Sequence, residues 1–187
     1  LLSVTEDPTV PQPERTLMLA WLSYVQLFRG DVARANDALH SIIEAATGGT
    51  PISDEMSVRF LRAMIAVERG DDDAHDLLED AINEADQMDD PSRAIFLLCR
   101  QAELELTHGR TATAARLLAD ALVRAQVARS PLARINSLIG LGDLADDQQT
   151  PDEALHHYRE ALDLALSYDD AISQVRILER FAALGSS

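Results

Sequence analysis

Apolar positions in this chain recur at three- and four-residue steps, the spacing of one buried helix face, in blocks separated by short turn signals. Leu17, Met18, Trp21, Leu22, Val25 and Phe28 predict a first helix over about 14–29 with a wide buried face. Gly30 suits the left-handed position that ends a helix, and Asp31 is placed to cap the next one, which runs to about Thr47 before the Gly48-Gly49-Thr50-Pro51 break. The same plan repeats. A helix over about 53–69 turns at Gly70 into a partner whose first turn carries Asp71, Asp72 and Asp73, where the helix dipole favours carboxylates, and which ends at Asp89-Asp90-Pro91. Third and fourth pairs are predicted at about 92–108 with 111–129, and at about 132–146 with 151–168. Thr150, Pro151 and Glu153 read as a capping box around a first-turn proline. One unpaired helix over about 170–184 closes the chain, with Ile172, Val175, Ile177, Leu178, Phe181 and Leu184 as its apolar positions.

The pairs are copies of one another. In GRTATAARLLADAL, Gly109 is followed by Ala114, Leu118, Ala121 and Leu122; Gln149 leads to Ala154, Tyr158, Ala161 and Leu162; Gly30 leads to Ala35, Leu39, Ile42 and Ile43. Gly70 leads to Ala74, Leu78, Ala81 and Ile82 with one residue fewer in the turn. Ala35, Ala74, Ala114 and Ala154 lie 39, 40 and 40 residues apart, and Pro11, Pro51, Pro91 and Pro131 fall every 40. The first helices carry their own small column, Ser23, Ala63, Ala102 and Gly142. Two small columns facing each other allow close approach within each pair. A fixed period of this length marks a repeat array, with units at about 14–47, 51–88, 91–128 and 131–168, and a closing helix at 170–184. Residues 1–13, with Pro8, Pro11 and Pro13, read as an extended lead-in.

The small residue in the first helix, the Gly-type turn and the alanine five residues later resemble the tetratricopeptide repeat. The standard unit has 34 residues; the longer period here is similar to the variety in large bacterial signal-transduction ATPases and their associated transcriptional activators. The resemblance covers about 14–187, including VRILERFAALG (Val175 to Gly185), which is similar to the closing helix of such regulators. Gln149 stands where the family pattern has glycine. The resemblance implies an all-α right-handed solenoid of four helix pairs plus a capping helix, with the first helix of each pair lining a concave groove. It also implies which side chains face inward: Tyr24, Met64, Glu103 and Asp143; Ala20, Phe60, Cys99 and Ile139; and Leu17, Ser57, Phe96, Asn136 and Arg176. The expected binding face is thus Tyr24, Phe60, Met64, Phe96, Glu103, Asn136, Asp143 and Arg176, apolar toward one end and carboxylate-bearing toward the other. It suits a protein or peptide ligand with basic residues, Met and aromatics giving adaptable contact.

Composition narrows the function. With 47% hydrophobic but 4% aromatic residues, the core must be built from Leu, Ala, Ile and Val, as in stacked helices. Net charge is −16, with Arg as every basic residue; the balance is −13 through Asp90 and −3 beyond it. Such a chain repels phosphate backbones, which argues against direct nucleic-acid binding. No apolar run approaches the ~20 residues that span a bilayer. One cysteine, Cys99, excludes an internal disulfide framework and fits a reducing, cytoplasmic compartment.

No catalytic, metal or cofactor site is expected. GxSxG, HExxH and phosphate-loop patterns are missing from the sequence. Gly140-Leu141-Gly142-Asp143-Leu144-Ala145 matches GxGxxA but lies inside a helical repeat with no strand before it, so it reads as chance. His156 and His157 point about 100° apart on a helix, and neither has Cys or further His at ligand spacing. Cys99 reads as a small buried hydrophobe. The expected function is therefore a binding module. The resemblance, together with the missing initial Met, makes it the signal-receiving or regulatory part of a larger bacterial transcriptional regulator. The alternative is a free-standing adaptor or co-chaperone scaffold.

Overall fold

The computed structural model describes residues 11–47 and 55–185. Among these residues the secondary structure is nine α-helices without a strand: α1 (Gln12–Phe28), α2 (Val32–Thr47), α3 (Glu55–Arg69), α4 (Ala74–Gln87), α5 (Pro91–Thr107), α6 (Thr111–Ala128), α7 (Pro131–Asp147), α8 (Pro151–Ser167) and α9 (Ala171–Leu184). The repeats, expected to form one domain over 14–187, divide into two compact units, Leu1–Glu84 and Ala85–Ser187, with the boundary inside α4. The lead-in is shorter than the sequence implies, because α1 starts at Gln12 with Pro11 as its N-cap residue; the rest of that lead-in and the Gly48–Pro51 break lie outside the described residues.

One turn geometry recurs. After α1, the Gly30 N–H donates to the Leu27 carbonyl and the Asp31 N–H reaches back to Gln26, so two orphan carbonyls of the helix end are satisfied. Gly30, Gly70, Gly109 and Gln149 occupy the left-handed region at this step, with φ of 74°, 69°, 70° and 59°. The turns between pairs use the same motif at Asp89, Arg129 and Asp169, with φ of 54°, 50° and 53°. Left-handed backbone costs a residue with a Cβ about 1–2 kcal/mol, so tertiary packing of the helix pairs holds these non-glycine turns.

Two capping expectations are corrected. Asp71, Asp72 and Asp73 precede α4 rather than forming its first turn; Asp71 accepts the Ala74 N–H and pairs with Arg69 at 3.3 Å. The Thr150 hydroxyl does not cap α8 but donates back to the Ala145 carbonyl at 2.9 Å. Asp31 does cap as expected, accepting the Arg34 N–H at 3.2 Å.

In the first unit the two small columns meet directly: the Ser23 hydroxyl, fully buried, donates to the Ala35 carbonyl at 2.8 Å. The apolar face of α1 is narrower than its pattern suggests. Leu22 and Leu27 are buried, whereas Leu17, Trp21 and Val25 are 49%, 60% and 43% exposed. In the second unit Ala102, Ala114 and Leu118 share one apolar cluster, and Ala154, Tyr158 and Ala161 share another with Ile135, Leu138 and the inward Ile177 of α9. The two glycines of the GxGxxA match serve this packing. A Cβ on Gly142 would fall 2.2 Å from the Tyr158 ring, and one on Gly140 would fall 2.4 Å from a Leu118 methyl. The α5–α6 turn is tied by Arg110, whose guanidinium forks onto the buried Glu105 carboxylate.

Candidate functional site

The expected site residues fall in both units. In the first, Tyr24 of α1 and Phe60 of α3 are half-buried, with ring centroids 6.2 Å apart, and Trp21 stands edge-on to Tyr24 at 6.2 Å. Met64 is 5% exposed and belongs to the core, so it offers a ligand little surface.

In the second unit α5, α7 and α9 bring Phe96, Glu103, Asn136, Asp143 and Arg176 to one cleft of about 20 Å3, beside Cys99. That volume holds about one water. The cleft is therefore a polar recess for the tip of a side chain or a chain end, and not a cavity for a folded ligand.

Its charges are mostly consumed locally. Arg100 donates to Glu103 at 2.6 Å. Asp143 accepts from the Tyr158 hydroxyl at 2.6 Å and from Arg180 Nε at 3.2 Å. Asp143 holds the Tyr158 phenol far above its usual range, adding its charge and hydrogen bond to the larger effect of burial. Burial acts to lower the Arg180 pKa, but attraction and hydrogen bonding to Asp143 outweigh it and leave it raised. These pairings give Glu103 and Asp143 partners within the chain, where the sequence reading expected them to stand ready for a basic ligand.

Arg176 differs from its neighbours. Its Nη1 donates to the neutral Oδ1 of Asn136 at 3.1 Å, and among the described residues no carboxylate lies within ion-pairing distance. Burial, followed by repulsion from Arg180, lowers its pKa, with attraction to Glu103 and Asp143 opposing the shift and repulsion from Arg100 adding to it. Three guanidiniums thus stand near two carboxylates, and Arg176 is the one hydrogen-bonded to an amide, with Glu103 and Asp143 attracting it from beyond ion-pairing distance. Burying a charge without an ionic partner is costly.

Arg100 and Arg180 are the site residues that the column reading missed. They share a column with Gly140 at the same 40-residue spacing, one position past Cys99 and Ile139. Cys99 is half-buried, its sulfur 3.9 Å from the Ser137 hydroxyl, and burial pushes its thiol up to about 12. His157 lies 3.9 Å from Glu153 on the α8 surface. Among the described residues no group of three or more His, Cys, Asp or Glu is placed to hold a metal ion, and no helix is long and apolar enough to cross a membrane.

No protein-family model matches the chain, and a search of curated proteins finds no match. Among solved structures it is similar to a Signal Transduction ATPase with Numerous Domains (STAND) protein with a tetratricopeptide repeat sensor from Pyrococcus horikoshii, with a TM-score of 0.71 and 12% identity over 94% of this chain. The chain spans 28% of the length of that protein. The likeness shows the fold class: an all-α solenoid of tetratricopeptide-like helix pairs.

Proposed function

We propose that this chain is a protein-interaction module, the signal-receiving part of a larger cytoplasmic regulator of transcription whose nucleotide-binding and DNA-binding functions reside elsewhere. It has no catalytic role of its own. A repeat fold of this class offers surface without built-in chemistry, so binding is its default use. Support comes from the likeness to a protein that combines a signal-transduction ATPase with a repeat sensor. The observation that carries the ligand reading is Arg176, a desolvated guanidinium in the cleft with Asn136 as its hydrogen-bond partner. The ligand is a protein segment that places an acidic group in the recess, with Phe96 as its apolar contact.

A peptide array of fixed length that varies only in charge tests this reading. The chain should retain acidic peptides, and Arg176→Gln should lose them while its thermal melt stays close to that of the parent. Preference for basic peptides by both proteins would overturn it. The regulator assignment is tested separately, by the mass of the endogenous polypeptide that an antibody against this chain detects. A band several times larger supports the module, whereas a band of the same mass supports the alternative of a free-standing adaptor.

A further inference from the structure

The first unit holds a cleft of its own, lined by α2, α3 and the turn that leads into α4. Its volume is about 190 Å3. An apolar cavity of ~150 Å3 admits benzene, so this cleft has room for a molecule of about eight to ten non-hydrogen atoms. Leu39, Ile65 and Leu77 give it an apolar wall, and Asn36, Arg62 and Asp73 supply polar groups. Two other charged groups of the lining are engaged within the chain: Arg69 pairs with Asp71 at 3.3 Å, and His40 pairs with Glu44 at 3.2 Å. Asn36, Arg62 and Asp73 have no side-chain hydrogen bond or ion pair among the described residues.

The repeat register shows why the space exists. Ala66 and Asp71, both in the lining, are equivalent to Glu105 and Arg110, 39 residues further on. There the Glu105 carboxylate is buried and the Arg110 guanidinium donates to it, so the chain fills the corner under its own turn. In the first unit an alanine methyl and a short carboxylate take those two positions, and the corner stays open. The cleft is thus a property of this one pair of positions inside the array.

Its two ends differ in charge. Arg62 lies seven residues before Arg69 on α3, about 10 Å along the helix axis, whereas Asp73 follows Arg69 beyond the turn. A guanidinium therefore marks one end and a carboxylate the other. A dipeptide spans about 7 Å at ~3.5 Å per residue, and the reach of the arginine side chain covers the difference. We propose that this cleft binds a free dipeptide of small residues, its carboxylate toward Arg62 and its ammonium toward Asp73, with the Asn36 amide facing its peptide group. The site uses no residue of the recess at Arg176 and does not depend on what that recess binds.

Diglycine titrated into the intact chain, followed by isothermal titration calorimetry, should give a saturable isotherm with a single site. Diglycine amide lacks the carboxylate and N-acetyldiglycine lacks the ammonium; each should bind about tenfold more weakly, for loss of one charge-assisted contact. Arg62→Gln should remove the preference for diglycine over its amide while keeping the preference over N-acetyldiglycine. Asp73→Asn should do the reverse. Both side chains are exposed, so the thermal melts of the two variants should stay close to the parent's. Ala66→Glu combined with Asp71→Arg, which rebuilds the fork of the following pair, should fill the cleft and abolish binding; the first two variants decide the matter alone if this one does not fold. Absence of saturable binding by diglycine at millimolar concentration would overturn the proposal. So would equal binding of diglycine and its capped forms, or an end preference that survives the substitution assigned to it.

Discussion

Gly142→Ala and Gly140→Ala make the same substitution two residues apart in one helix, and the packing around α7 gives them opposite outcomes. Each gains the intrinsic advantage of alanine over glycine in a helix interior, up to about 1 kcal/mol. At Gly142 the new Cβ meets three atoms of the Tyr158 ring at 2.2, 2.5 and 2.8 Å, where ordinary contact begins at 3.4 Å. The ring must yield by more than an ångström, and it is held from several sides. It is 1% exposed, its hydroxyl donates to Asp143 at 2.6 Å, and it stands edge-on to Phe181 with centroids 5.9 Å apart. Overpacking of this kind costs about 1–3 kcal/mol, so Gly142→Ala should lose a net ~1–2 kcal/mol. At Gly140 the close atom is one Leu118 methyl at 2.4 Å, the other atoms standing at 3.6 and 3.7 Å. That methyl is the far end of a flexible side chain, and a small rotation frees it. Gly140→Ala should be neutral or slightly stabilising. At ~2–4 °C per kcal/mol for a chain of this size, the melting midpoint should fall by about 2–8 °C for Gly142→Ala and hold or rise for Gly140→Ala. Thermal and guanidinium melts followed by circular dichroism read both. Equal losses at the two positions, or a gain at Gly142, would refute the claim that the tyrosine ring sets the closest approach of α7 and α8.

Three further outcomes follow from the same structure. With its thiol pushed up to about 12 by burial, Cys99 should react with iodoacetamide at pH 8 far more slowly in the folded chain than in denaturant, where a free thiol titrates near its usual ~8.5; equal rates would contradict its burial. Burial first, and then repulsion from His156, lower the His157 pKa below its ordinary 6.5, so the unfolded chain takes up its proton first as pH falls. The stability this contributes is present above about 6.5 and is lost as pH drops toward the folded value, so His157→Gln should flatten the fall in melting temperature between neutral and mildly acidic pH. Arg110→Ala should lower the melting temperature by stripping the buried Glu105 of this guanidinium. Adding Glu105→Leu should recover much of the loss, because an apolar side chain replaces a buried carboxylate without a desolvation penalty; failure to recover would show that Arg110 acts through something other than that carboxylate.

The sequence by itself determined the repeat and its local geometry. Helix starts and stops read from the pattern agree with the structure to within about two residues for α1, α2 and α5 to α9. The alanine column is buried throughout, with Ala35, Ala74, Ala114 and Ala154 at 0%, 2%, 0% and 0% exposure. These features were legible because helical periodicity and the turn preference for glycine are properties of a few consecutive residues. The left-handed Asp89, Arg129 and Asp169 were not, although they keep the same 40-residue spacing, because no glycine marks them and the packing of the joined helices imposes their backbone.

Tertiary structure decided everything that depends on which neighbour lies across a gap. The pattern gives α1 and α9 wide apolar faces; the structure covers part of each and leaves Trp21, Val175 and Leu178 open, because a helix buries a face only where a second helix is there to meet it. The family resemblance placed Glu103 and Asp143 at a groove but could not pair them. Asp143 takes its partners 15 and 37 residues along the chain, at Tyr158 and Arg180. Charge complementarity across helices is set by distance and rotamer, and neither is written in the spacing of one helix. That is why the same residues that read as an acidic surface for a basic ligand became, once folded, the counterions of two arginines.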